Sequence, residues 1–454
     1  MGEQMRNVYL YPVFEDKASF DEVMSRAAWY FEPWLDDIKG FHIGASFDVD
    51  RAIARDPSLD PSVAAKAPAL MSRAVIHNTS ATTNAWLAND ARKNAELLLI
   101  WKMPEEPQQR AQAQSLYEAV RARGWLSYVV DKDNEMSHGC NWLWSSITLA
   151  TRDERERLKA DSYAALMRFA AQVRSPRAYV LGTGPNLEQA AQRDFSDGDC
   201  IIANSIIKNR PLMERLNPIA VCACDPIFHA GVSLYAAEFR QTLIQAMDDF
   251  PRMYFFAPHR DEKIYLLNLP QRLHDRFIFV PIDTAPGVKW NFDLRRDFYL
   301  VPEGNVLTQM MLPIAAAFHE KLSVIGCDGR PLSQNTYFWS HHASSQFNDQ
   351  MQNIQEVHPA FFKLRDYDDH YSEHCADTAR IIGNLEDAGK RVECLTDSYI
   401  PALRQRYSLD QRPLGDDVVV VSINPNLRNN YGHLLGYDEG LREAARASGA
   451  HFLT

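Results

Sequence analysis

Short apolar runs alternate with segments of helical period along almost the whole chain of 454 residues. NVYLYPVF from Asn7, FHIGASF from Phe41, RAVIHN from Arg73, ELLLIW from Glu96 and LSYVVD from Leu126 read as strands. Between them, stretches such as SFDEVMSRAAWYFEPWL place apolar residues at helical spacing. Further on come AYVLG, CIIAN, AVCACD, RMYFFAP, FIFVPID, LSVIGCD and RVECLT. Unbroken apolar runs of this length suit a parallel sheet covered on both faces. The pattern predicts an α/β protein: two Rossmann-like domains with mostly parallel sheets, plus a C-terminal βα fragment.

Residues 1–150 form the first domain. No glycine-rich phosphate loop follows any of its strands, and its His and Asp residues are scattered. Its role stays open between acceptor binding and assembly. A charged helical stretch from Thr151 leads into the second domain, 151–406, which holds the motifs. The polar segment 407–416, with Pro413 and Gly415, reads as a linker. In 417–454, DVVVVSINPN reads as a strand and YGHLLGYDEGLREAARASGA as a helix, and a second strand would begin at HFLT. This piece is either the start of a further α/β domain of a longer chain or an appendage on the second domain. Internal repeats and low-complexity tracts are absent.

Hydrophobic residues make up 46% of the chain and charged residues 24%, which excludes disordered, collagen-like and disulfide-dense classes. The 48 basic and 59 acidic residues give a formal charge of −11, a poor match for non-specific nucleic-acid binding. The cysteines number seven, show no framework and mostly sit in or beside apolar runs. They read as free thiols in a reducing cytoplasm. No apolar stretch reaches the length of a membrane span, MGEQMRN is not a signal peptide, and Arg6 breaks the myristoylation pattern.

The strongest local signal is AYVLGTGPNLEQAA. A strand ends at Leu181, Gly182, Thr183 and Gly184 turn, and Pro185 and Asn186 enter a helix. Glycines let backbone approach a phosphate or ribose, and a helix N-terminus favours anions. Leu187 stands where a dinucleotide fingerprint needs a third glycine, which points to a mononucleotide; a ligand-free strand–helix turn is the alternative. Asn204 closes CIIAN and Asp225 closes AVCACD, both at strand ends where open α/β sheets bind ligands. Cys222 and Cys224 read as packing. Asn305 or Thr308 opens an apolar helix and is suited to a phosphate. Asp328 ends another strand, before an aromatic loop with Tyr337, Trp339, His341 and His342. His370 and His374 stand just before a helix expected from about Ala376, with His374 suited to general-base work. A zinc site of His370, His374 and Cys375 is disfavoured, because Tyr371 takes the place of the Glu in HExxH.

The second domain resembles the bacterial sialyltransferases of glycosyltransferase family 42 and, more distantly, the motility-accessory flagellin glycosyltransferases. The resemblance covers about residues 176–403. Gly182 to Leu187 looks like the family's G-x-G-P-S-L loop. Asn204 matches its base- and ribose-binding Asn, and Asp225-Pro226 falls on its Asn-Pro. Gly326-Cys327-Asp328 looks like its G-I-D strand end. Tyr337 falls near a phosphate-holding tyrosine. His370 to His374 looks like H-Y-x-x-H, whose second histidine is the base. Two departures are Asp225 for Asn and Glu303-Gly304-Asn305-Val306 for T-S-G-V. The resemblance implies an inverting, metal-independent transferase using a CMP-activated nonulosonic acid or CMP-Kdo as donor, with no other cofactor. Its acceptor would be a glycan or lipid-linked oligosaccharide, at the cytoplasmic side and conceivably the inner membrane face; peripheral membrane association and homo-oligomers stay open. The C-terminal fragment looks like the start of a GT-B-type domain, as in a bifunctional polysaccharide assembler. Two other readings remain: a Mg²⁺-dependent nucleotide pyrophosphokinase-like enzyme with Asp225 and Asp328 as metal carboxylates, and a non-catalytic assembly module.

Overall fold

The computed structural model describes residues 5–78, 83–134, 140–331, 334, 343–363, 366–407, 419–421, 441, 443–444 and 451–453. The expected strands form two sheets. In the first domain, β1 (Arg6–Phe14), β2 (Ile38–Ala45), β3 (Ala74–Asn78), β4 (Leu97–Ile100) and β5 (Leu126–Val129) order as β3-β2-β1-β4-β5, all parallel. The second sheet contains β6 (Arg177–Leu181), β7 (Asp199–Ala203), β8 (Ala220–Cys222), β9 (Tyr254–Pro258), β10 (Phe277–Val280), β11 (Lys321–Ile325) and β12 (Arg391–Cys394). Its order is β10-β9-β8-β7-β6-β11-β12, again parallel throughout. The chain steps outward from β6 to β10, then returns to the other side of β6 with β11. The switch point of the sheet therefore lies between β6 and β11.

Local sequence accounts for these elements. Every residue of β7 (DCIIA) and β10 (FIFV) is buried, as a doubly covered sheet requires. The helix Lys17–Phe31 starts where the Asp16 carboxylate accepts the Ser19 N–H at 2.7 Å. It buries Phe20, Met24, Ala27, Ala28 and Phe31, one face at helical spacing. Cys222 and Cys224 pack in one apolar cluster of the second domain, in keeping with a structural role.

One apolar core runs through both domains, joining Trp29, Phe41 and Leu97 of the first to Phe228, Phe239 and Phe347 of the second. Polar contacts fix the junction. The Trp29 Nε1–H donates to the Ala230 carbonyl at 3.0 Å. The Arg240 guanidinium, nearly fully buried, stacks 4.5 Å from the Trp29 ring. It donates to the carbonyls of His229 and Gly231, and to Asp60 Oδ2 at 2.6 Å. Arg240 belongs to the second domain and Asp60 to the first.

At the C-terminus a strand over Val419–Val421 pairs in parallel with His451–Leu453, so the second strand expected near HFLT is present. The linker beyond residue 407 and most of 417–454 lie outside the described residues. No described helix is long and apolar enough to cross a membrane.

Removing the Asp60 carboxylate would leave a buried guanidinium without its counter-charge. Asp60→Ala is expected to cost ~3–5 kcal/mol in urea unfolding at pH 7, as for other broken buried pairs. Burial alone would raise the Asp60 carboxyl, but Arg240 and the Ser62 N–H outweigh it and hold it below its ordinary value of 3.8. Its contribution is thus complete above pH 3.8 and lost as pH falls through the lower folded value. The gap between wild type and variant should close in that acid window and stay open at neutral pH.

Candidate functional site

The carboxyl ends of β6, β7, β8 and β11 surround a cavity of about 200 Å³. Gly182, Thr183 and Gly184 follow β6, Asn204 follows β7, Asp225 follows β8, and Gly326 to Gly329 follow β11. Gly304, Asn305, His370 and His374 also line it. The sequence separates these residues by up to 192 positions, and the parallel sheet brings them to one edge.

The glycine loop is built around its contact with β11. The Gly182 N–H donates to the Ile325 carbonyl at 2.8 Å, and the Gly184 N–H to the Gly326 carbonyl at 2.8 Å. A Cβ at Gly182 would meet Cys327 Sγ at 2.6 Å, and one at Gly184 would meet Asp328 Oδ2 at 2.5 Å. The Asn186 N–H donates to Asp328 Oδ2 at 2.7 Å, and the Leu187 N–H to the Gly184 carbonyl. The chain's own carbonyls and one carboxylate thus take the N–H groups of Gly182, Gly184, Asn186 and Leu187. Thr183 and the two glycines line the cavity, whereas Pro185 and Asn186 do not. Asn186 instead reaches the Asp397 carbonyl with its amide.

Asn204 adopts φ +40°, a left-handed turn conformation that Asn tolerates better than most residues. Its Oδ1 is buried without a hydrogen-bond partner. Asp225 Oδ1 accepts the Ile227 N–H at 3.1 Å and so caps the short helix Pro226–His229. The Asp225 carbonyl accepts from His229 Nδ1 at 2.8 Å, which leaves His229 Nε2 as an acceptor. Burial pushes the His229 ring down to about 3, so it is neutral. Asp328 is buried, with Oδ1 unpartnered. Burial pushes its carboxyl up to about 6, against the hydrogen bonds from Asn186.

The apolar helix expected after Asn305 runs through Leu307–Met311 and Leu312–Phe318 and is buried. Asn305 caps it, accepting the Leu307 N–H at 2.9 Å. The N–H groups of Asn305 and Val306 find no acceptor among the described residues. Thr308 does not reach the cavity: it is fully buried and its hydroxyl donates to the Asn305 carbonyl at 3.2 Å. What the chain presents at this end of the cavity is therefore a helix N-terminus.

The helix expected from about Ala376 begins nine residues earlier, at Tyr367, capped by the Asp366 carboxylate. His370 and His374 consequently lie within it, on successive turns of one face, instead of before its N-terminus. His374 is 4% exposed, with Nδ1 unpartnered. Its ring is pushed down to about 4 by burial, against the opposing pull of the Asp377 carboxylate. Tyr371, between them, turns the other way: its hydroxyl accepts the Arg330 N–H at 3.0 Å and its ring stacks under the Arg330 guanidinium.

Tyr337, Trp339, His341 and His342 lie outside the described residues. Sequence reasoning missed His229, Phe228, Tyr235 and Gln346 as lining residues. His229 follows Asp225-Pro226 within the same short helix, and that proximity is the one signal it carried. The cavity wall includes two carboxylates, Asp225 and Asp328, and no Lys or Arg among the described residues. Among the described residues no group of three or more His, Cys, Asp or Glu could hold a metal ion. No family model matches the chain, and no curated protein matches it either.

Gly184→Ala places a methyl group 2.5 Å from Asp328 Oδ2 and 2.8 Å from the Gly326 carbonyl. Because one of the two is backbone, the strain is not relieved by a side-chain rotation. The variant is expected to lose ~1–3 kcal/mol, measured by chemical denaturation. An unchanged stability would mean that β6 and β11 do not approach this closely.

Proposed function

We propose that the protein is a glycosyltransferase that moves a nonulosonic acid from a CMP-activated donor to a glycan acceptor by general-base catalysis. The observation that carries this reading is a set of three buried, unpartnered polar atoms on one cavity: Asn204 Oδ1, Asp328 Oδ1 and His374 Nδ1. A buried polar atom without a partner costs ~1–3 kcal/mol. Two of the three are acceptors, and they call for a ligand that presents hydroxyl or amino groups, as a ribose and a cytosine do. A mononucleotide suits the single anion position at the 306–318 helix start. The uncharged and acidic wall disfavours a diphosphate, which would bring two adjacent negative charges with no cation to meet them.

In this reading the neutral His374 imidazole takes the acceptor hydroxyl proton as the oxygen attacks the anomeric carbon. The new C–O bond forms as the bond to the phosphate breaks, and CMP leaves with that electron pair. His370, one turn earlier, lies beside the turn that would hold the phosphate: a Cβ at Gly304 would be 3.4 Å from its Cε1. An anionic donor beside His374 raises its basicity from the low value that burial alone imposes.

One observation favours a second reading. Two carboxylates in a cavity without cationic residues also suit a Mg²⁺-bound nucleotide, as in a pyrophosphokinase-like enzyme. Metal dependence separates the two. Transfer from a CMP-linked donor should proceed in excess EDTA at nearly the rate seen with Mg²⁺, and a 100-fold loss would favour the kinase-like reading.

The nucleotide is tested by thermal shift. CMP at about 100 times its dissociation constant should add ~2.7 kcal/mol of stability, while NAD adds none. An equal response to UDP and CMP would sink the donor assignment. His374→Ala should lower kcat by ~10²–10⁴-fold and leave CMP affinity nearly unchanged, since the proton moves only during reaction. Near-normal turnover in that variant would place the base elsewhere.

A further inference from the structure

His229 lines the cavity and takes no part in the proposed proton transfer. It ends the short helix Pro226–His229, which follows β8. Residue and ring are both held. Nδ1 lies 2.8 Å from the Asp225 carbonyl, and the ring centroid lies 4.4 Å from that of Phe239. The His229 backbone carbonyl accepts from Arg240 at 2.9 Å, and Asp60 anchors Arg240 in turn.

A carbonyl oxygen only accepts, so Nδ1 carries the hydrogen of its contact with Asp225. The ring is neutral: burial excludes the charged form, and the Arg240 guanidinium opposes a second positive charge beside it. A neutral imidazole with its hydrogen on Nδ1 has a lone pair and no proton on Nε2. That Nε2 has no hydrogen-bond partner among the described residues. His229 therefore offers the cavity an acceptor that cannot turn donor without giving up the bond to Asp225.

The strand order fixes where this acceptor stands. His370 and His374 lie on the helix Tyr367–Asp387, which packs against β12, and between β8 and β12 stand β7, β6 and β11. His229 thus lies across the cavity from the two histidines. Phe228 and Tyr235 line the same side, with ring centroids 5.2 Å apart. Aromatic surface beside a fixed acceptor suits a flat heterocycle with an N–H donor on its edge. Cytosine presents an amino group where uracil presents a carbonyl oxygen. Against Nε2 the amino group donates, whereas the carbonyl would set lone pair against lone pair and leave both unpaired.

We propose that His229 is a specificity-determining residue that reads the base: its Nε2 accepts from the exocyclic amino group of a cytosine and so rejects uracil. The proposal rests on the cavity being a nucleotide site. His229 acts on binding and leaves the chemical step to the other side of the cavity.

The test measures dissociation constants by calorimetry for CMP, UMP and the pyrimidin-2-one ribonucleoside monophosphate, which is CMP with hydrogen in place of the amino group. The wild type should bind CMP about tenfold more tightly than either of the others, the discrimination carried by one hydrogen bond. His229→Asn keeps an N–H for the Asp225 carbonyl and removes Nε2. It should bind CMP about tenfold more weakly than the wild type and hold all three nucleotides alike. In ¹⁵N NMR of the wild-type rings, Nε2 of His229 should be the unprotonated nitrogen. Its resonance should move toward the hydrogen-bonded value with CMP and not with the pyrimidin-2-one nucleotide. The wild-type affinities and ring spectra need no variant, so a poorly folded His229→Asn does not shelter the proposal. Equal wild-type affinity for CMP and the pyrimidin-2-one nucleotide, a CMP preference that survives in His229→Asn, or a proton on Nε2 overturns the role of His229 and leaves the nucleotide reading standing. If none of the three nucleotides binds the wild type, the nucleotide reading falls and the role of His229 falls with it.

Discussion

The approach of the β6 and β11 strand ends governs the rest of the site. Two backbone hydrogen bonds, from Gly182 to Ile325 and from Gly184 to Gly326, bring the loops together at the switch point of the sheet. No side chain fits between them, which is why both positions are glycine. That closeness carries Asp328 over the loop, where its Oδ2 takes the Asn186 N–H and its Oδ1 is left facing the cavity without a partner. Gly326 and Gly329, at φ +64° and +66°, let the chain leave β11 sharply enough to put Asp328 there. A Cβ at Gly329 would also strike the Tyr371 hydroxyl at 2.5 Å, so the same bend packs against the helix that holds the histidines.

This geometry divides the cavity into chemically different ends. At the glycine loop the acceptors are Asp328 and Asn204, and the N–H groups of Gly182, Gly184 and Asn186 are taken within the chain. At the start of the 306–318 helix the donors are backbone N–H groups, with His370 alongside. A ligand that satisfies both ends carries hydroxyl or amino groups at one and an anion at the other. The buried Arg330, which follows Gly329, does not contribute: it donates to the Tyr367 carbonyl and pairs with Asp368. Negative charge in the ligand must therefore be met by dipoles and neutral donors, which limits how much of it the cavity tolerates.

Much of the fold was legible, because buried parallel strands are unbroken apolar runs and each of the runs from NVYLYPVF to RVECLT forms a strand. The strand-end residues Asn204, Asp225 and Asp328 were legible for the same reason: a polar residue closing an apolar run marks the sheet edge. What sequence could not supply was the partner of each group. Spacing does not say that the Gly326 carbonyl and the Asp328 carboxylate take the Gly184 and Asn186 N–H groups. Thr308 read as a ligand because a hydroxyl near a helix start does not reveal that it turns inward to the Asn305 carbonyl. The start of the last helix was misplaced because DYDDHYSEH is polar and masks the Asp366 cap, whose signal is local and brief.

The first domain is tied to this chemistry through one stretch of chain. Pro226–His229 and the residues after it form part of the cavity wall, with Phe228 and His229 lining it. The carbonyls of His229 and Gly231 are held by Arg240, which Asp60 anchors from the first domain, and the Ala230 carbonyl is held by Trp29. Three consecutive carbonyls are thus fixed by groups that depend on residues before 150. A wall segment pinned on every carbonyl has little freedom to drift, so His229 keeps its Nδ1–H on Asp225 and its neutral acceptor in place. The shared apolar core makes the two domains one packed body at this seam, and it lets a domain with no cavity residue among the described residues fix the position of several that do line it.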